Sequence, residues 1–194
     1  MFARYLWIWI CCFMMGSTLS VNAQNKIEKE YRIKPSQVPK EALDFIKKCP
    51  FKKKIKWYIE ESQNGKSIEA KTFYQKRKYS IEFTSEGEPE DIEIKIPFSE
   101  LSIDLKKTIQ SSLDSIFAKS KIKKTQVQWV SDRATLISLI NKKNVKAAYA
   151  TNYELIVKGK KEKHSHYYEL LYSNDGVLLK MLRVVNDNTD NLLY

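Results

Sequence analysis

Histidine, cysteine and glycine are scarce in this 194-residue chain, with 2, 3 and 5 copies respectively. Five glycines leave no phosphate-cradling loop, and no glycine-flanked G-x-S-x-G nucleophile turn occurs. The two histidines, His164 and His166, share one side of a strand as i and i+2. They offer two ligands where a metal site needs at least a third and a supporting outer shell. No metal site is expected, and the pair reads as the cap of a solvent-exposed hairpin. No cofactor is expected either.

Long apolar runs are missing too. The longest, Leu6 to Gly16, spans 11 residues, whereas a membrane-crossing helix needs about 20. Its setting suits an export signal: Arg4 before it, then STLSVNAQ with small residues at Val21 and Ala23. Cleavage near Ala23 is expected, removing 1–23 and leaving 194 − 23 = 171 residues. A lipid anchor on Cys11 or Cys12 is not expected, because Trp9 and Ile10 stand where small residues are required. The expected location is the periplasm or the cell exterior, with no transmembrane segment after cleavage. Two of the three cysteines leave with the signal. Cys49 then stays unpaired and reads as a small buried hydrophobe.

Charge of one sign dominates what remains. Losing Arg4 takes the formal charge from +11 to 11 − 1 = +10. Export argues against nucleic acid. It leaves acidic protein partners, anionic glycans or lipid head groups of the envelope.

Residues 24–34 are polar and read as a loose arm. Ser36 and Pro39 open a helix whose stripe is Val38, Ala42, Phe45, Ile46 and Cys49, and Pro50 ends it. Four strands follow. Ile55, Trp57 and Ile59 alternate with polar neighbours, then Ile68, Ala70, Thr72 and Tyr74, then Tyr79, Ile81 and Phe83, then Ile92, Ile94 and Ile96. Asn64-Gly65 supplies a tight turn. The order then recurs: a helix over about 102–119, a strand with Val127 and Trp129, then strands with Tyr153, Tyr168 and 177–185. Matching turns at 79–87 and 168–176 suggest an internal duplication, with 133–148 as an insertion forming a short helix or an extended hairpin. A tail, 186–194, follows.

Candidate catalytic groups are few. The helix pattern buries Cys49. The acid pairs Glu60-Glu61 and Glu90-Asp91 lie among lysines at turns and strand edges and read as solvated. The protein is therefore not expected to be an enzyme. The aromatics are more informative. Tyr58 and Phe73 fall on the strand face opposite the apolar set, as do Tyr167 and Leu171 in the second half. Exposed there, they would suit a partner protein, since such side chains give large contact area at small entropic cost.

The segments VPKEALDFIKK, KWYIEES, SIEAKTFY and KRKYSIEFTSEGE, followed by the second set ending in YYELLYSNDGVLLK, resemble the PepSY-like, β-lactamase-inhibitor-like proteins exported by Bacteroides-type bacteria. The resemblance covers about 35–185. It implies an α+β fold in tandem: repeat 1 over 35–97 and repeat 2 over 98–185, each a helical cover packed on a four-stranded antiparallel sheet. It also implies a non-enzymatic binding module, an inhibitor or regulator of an envelope enzyme such as a protease. Its exposed sheet face would carry the contact through Tyr58, Phe73, Tyr167 and Leu171. The first hairpin, Gln63-Asn64-Gly65, departs from the acidic finger of the family's β-lactamase inhibitors. The alternative is a basic envelope protein binding anionic glycan or lipid head groups.

Overall fold

The computed structural model describes residues 24–63 and 65–185. The predicted signal over 1–23, Asn64 of the predicted tight turn and the tail 186–194 lie outside the described residues. Ten strands are present among the described residues: β1 (Gln24–Lys26), β2 (Glu28–Ile33), β3 (Lys56–Ser62), β4 (Gly65–Tyr74), β5 (Arg77–Thr84), β6 (Pro89–Lys95), β7 (Lys119–Val130), β8 (Ala150–Lys161), β9 (His164–Ser173) and β10 (Leu178–Val184). The helices are α1 (Lys40–Lys47), α2 (Ile103–Ile116) and α3 (Arg133–Ile140). No helix among the described residues is long and apolar enough to cross a membrane.

The expected tandem of two separate sheets is overturned. All ten strands form one sheet, in the order β1-β10-β9-β8-β7-β6-β5-β4-β3-β2. The would-be boundary is a strand pair: β6 runs antiparallel to β7, with Ile92 opposite Trp129 and Ile94 opposite Val127. Both strands carry apolar residues on the same side, so pairing them joins two apolar surfaces and removes two exposed edges. One core results. Ala42 and Phe45 of α1, Leu105, Ile109 and Leu113 of α2, and Leu136 and Ile140 of α3 belong to the same buried cluster as Ile81, Phe83, Ile92, Leu155 and Leu170.

The loose arm is also corrected: 24–33 forms strands at both edges of the sheet. β1 pairs in parallel with β10, Gln24 opposite Leu182, while β2 pairs antiparallel with β3, Tyr31 opposite Ile59. Lys26 and Glu28 flank Ile27, and two residues span at most about 7 Å. The two sheet edges therefore meet at this strap, and the sheet nearly closes into a barrel. Helices cover its outer, apolar face. The polar face turns inward.

The helices end as local chemistry requires. Ser102 accepts from the Leu105 amide at 3.2 Å, and Asp132 accepts from those of Ala134 and Thr135 at 2.9 and 3.1 Å. The 133–148 segment takes the helical alternative. α3 is anchored on α1 by Asn141 Nδ2, which donates to the Lys48 carbonyl at 3.0 Å, and by Arg133, which donates to the Glu41 carbonyl. Pro35–Gln37 forms a short 3-10 turn, so α1 starts at Lys40, behind Pro39.

Candidate functional site: an acid-lined interior

Period-two alternation sends every second residue of each strand inward. Where the outward set is Trp57, Ile68, Ala70, Ile81 and Ile92, the inward set is Tyr58, Glu60, Glu69, Lys71, Glu82, Asp91 and Glu93. Gln126, Gln128, Glu154 and Glu169 continue this inward face. A cavity of about 810 Å³ lies there, lined among others by Lys26, Glu60, Glu82, Asp91, Glu93, Gln128, Glu154, Glu169 and Leu171. Exposed residues of the β3–β4 turn, Gln63, Gly65 and Lys66, also border it.

The solvated acid pairs are thus corrected. Glu61 stays on the opposite face of its strand and Glu90 is exposed at the cavity's edge, but Glu60 and Asp91 line the interior, and Asp91 keeps only 9% of its surface exposed. Composition around them is the same; only the face differs.

The chain neutralises part of this acidity itself. Lys71 Nζ lies 2.8 Å from Glu30 Oε1 and 2.8 Å from Glu69 Oε2, with all three side chains 7% exposed. Ser80 also donates to Glu69. Lys26 Nζ reaches Glu169 at 2.5 Å and Glu28 at 3.0 Å. Lys124 lies 3.8 Å from Glu154. Burial by itself would lower the pKa of Lys26 and Lys71, yet the surrounding carboxylates outweigh it and hold both above the ordinary lysine value.

Glu82, Asp91 and Glu93 are different. Among the described residues no lysine or arginine forms an ion pair with them. Their donors are amides: Gln128 Nε2 to Asp91 Oδ2 at 2.7 Å, and Gln126 Nε2 to Glu93 Oε2 at 2.7 Å. Asp91 Oδ1 and Gln126 Oε1 are buried and accept nothing. One oxygen from each of the three carboxyls lies within 4.8 Å of the others. A second such group is Glu30, Glu60 and Glu69, where Lys71 already sits.

Unbalanced charge among buried carboxyls favours protonation. Burial pushes Asp91 up to about 7, helped by the Glu154 charge. Burial raises Glu60 to about 8, with Glu69 and Glu28 adding repulsion. The Asp91 charge and burial hold Glu82 well above the carboxylate range. Burial does the same for Glu93 and, assisted by the Glu169 charge, raises Glu154.

The four residues singled out from the sequence all lie on the inward face. It is a curved lining, not an open platform. Tyr58 packs under Lys71 Nζ, 4.9 Å from its ring centre, beside the buried ion pairs. Leu171 lines the cavity. Tyr167 is half-buried, opposite Lys158. Phe73 is exposed at 38%, with Lys53 Nζ 4.5 Å above its ring. Cys49 is part-buried, donates to the Phe45 carbonyl at 3.4 Å, and burial pushes its thiol up to about 12. His164 and His166 stack at 6.3 Å on the β8–β9 hairpin. Sequence reasoning missed the acidic lining, although glutamates at inward positions of four consecutive strands were its signal. Neither the family models nor the curated proteins include a match to this chain.

Proposed function

We propose that the protein is a non-enzymatic binding module of the cell envelope, and that its ligand presents a cationic group to the acid-lined interior. One observation carries this reading: a basic chain folds so that eight carboxyls (Glu28, Glu60, Glu82, Glu90, Asp91, Glu93, Glu154 and Glu169) line one cavity of about 810 Å³. A cation entering there gains charge-assisted hydrogen bonds in a low-dielectric space. Family resemblance makes an envelope enzyme, such as a protease, the class of partner, with a lysine or arginine side chain as the inserted group. Leu171, which lines the same cavity, supplies apolar contact beside it. The thiol of Cys49 is shifted away from nucleophilic character, which supports binding over catalysis.

The test is titration calorimetry with short oligolysine and oligoglutamate peptides. Saturable oligolysine binding, lost in Glu169→Gln, supports the reading. Equal, weak binding of both peptides removes it.

A second reading rests on β7 and β8. Lys119 stands opposite Lys160, and Lys121 opposite Lys158. Like charges directly across a strand pair repel, and a bound anion relieves that repulsion. An anionic glycan or lipid head group held there would bind in a strongly salt-dependent way. Binding unchanged between low and physiological salt would dismiss it.

A further inference from the structure

We propose that Glu82, Asp91 and Glu93 form a site for a hard divalent cation of the calcium class. The proposal builds on the reading of the interior as a ligand site and names one position within it.

The interior sorts its own carboxylates. Lys71 bridges Glu30 and Glu69, Lys26 reaches Glu169, and Lys124 faces Glu154. The Glu82–Asp91–Glu93 group has no ion-pair partner among the described residues. It projects from the paired strands β5 and β6, with Glu82 directly opposite Asp91 and Glu93 two residues on. Two independent buried acceptors stand there as well. Asp91 Oδ1 is buried without a donor, on a residue that is 9% exposed and lines the cavity. Gln126 Oε1, on a residue 5% exposed, also lacks one, and its own amide nitrogen holds Glu93. A buried acceptor without a donor is costly, and the described residues offer these two none.

Geometry selects the cation. Calcium–oxygen distances run about 2.3–2.6 Å, so oxygens on one ion lie up to roughly 5 Å apart. Ligand oxygens within 4.8 Å of one another satisfy that span. The donors are carboxylate and amide oxygens, with no sulfur or imidazole, which favours a hard ion over zinc or copper. Three carboxylates leave room for water, as at extracellular calcium modules with Kd of about 10⁻⁴–10⁻³ M.

The decisive experiment is calorimetric titration of the purified, chelator-treated protein with calcium chloride at pH 7.5, beside magnesium chloride and sodium chloride at matched ionic strength. One saturable site for calcium is expected. Asp91→Asn and Glu93→Gln should each weaken it at least tenfold while retaining the wild-type circular dichroism spectrum. Should Glu93→Gln fail to fold, Glu82→Gln serves in its place. No saturable calcium heat up to about 10 mM, well above that Kd range, or equal binding by wild type and Asp91→Asn, overturns the site. In those cases the carboxyls share protons only. Calcium binding without oligolysine binding would keep this site and remove the cationic-group reading; the reverse result would do the opposite.

Discussion

Lys26, in the strap that joins the two sheet edges, ends 2.5 Å from Glu169 on β9. The two residues are 143 positions apart in sequence, so this ion pair fastens the near-barrel closed. Their side chains are 20% and 13% exposed. Lys26→Met would leave Glu169 without this partner on a mostly buried side chain. The expected loss is about 3 kcal/mol, read as a lower urea midpoint. A change within measurement error would mean the strap contributes no closure.

Glycine makes a second, graded prediction. Gly87 and Gly176 both have positive φ, +93° and +82°, a region that side chains resist. A Cβ on Gly87 would meet Pro39 Cβ at 2.8 Å and the Ala42 backbone nitrogen at 2.9 Å; on Gly176 it would meet the Thr108 side-chain methyl at 2.8 Å. Backbone cannot give way as a side chain can. Gly87→Ala should cost about 3 kcal/mol and Gly176→Ala about 2 kcal/mol, measured by denaturant unfolding. The reverse order would contradict the packing of α1 on the β5–β6 turn.

Acidity sets a third. A carboxyl whose pKa rises on folding holds a proton in the folded state after the unfolded chain has released it. Stability therefore falls as pH increases, from the ordinary value of 4.5 towards about 8 for Glu60, and from 3.8 towards about 7 for Asp91. Melting temperatures measured with chelator present should decline across that window. Glu60→Gln should flatten the upper part of the decline, and an unaltered slope would show that Glu60 ionises normally.

Tyr58 and Phe73 should separate. Tyr58 packs beneath Lys71 and beside its two carboxylates, so Tyr58→Ala should destabilise by about 1–2 kcal/mol. Phe73 is exposed, and Phe73→Ala should leave stability within about 0.5 kcal/mol while weakening partner capture. Equal destabilisation by both would place Phe73 in the packed interior.

Cys49 offers the simplest check. With its thiol raised to about 12 by burial, a thiol reagent at pH 8 should label it slowly in the native protein and rapidly in denaturant. Fast native labelling would show an accessible thiolate.

Local periodicity in the sequence determined which residues share a face. Ile81 and Phe83 point one way and Glu82 the other because a pleated strand alternates, whatever surrounds it. The stripes of α1 and α2 and the turns at Gly87 and Gly176 were legible for the same reason: their physics spans a few residues. Tertiary structure alone decided what each face meets. Gln24 pairs with Leu182, 182 − 24 = 158 residues away, and Ile92 pairs with Trp129. Nothing local specifies those partners. They turn two expected sheets into one and a loose arm into a closing strap. Closure also turns Glu60 and Asp91 from expected solvated surface acids into the lining of an interior cavity. Alternation names the side of the strand, and only closure of the sheet determines whether that side is wet.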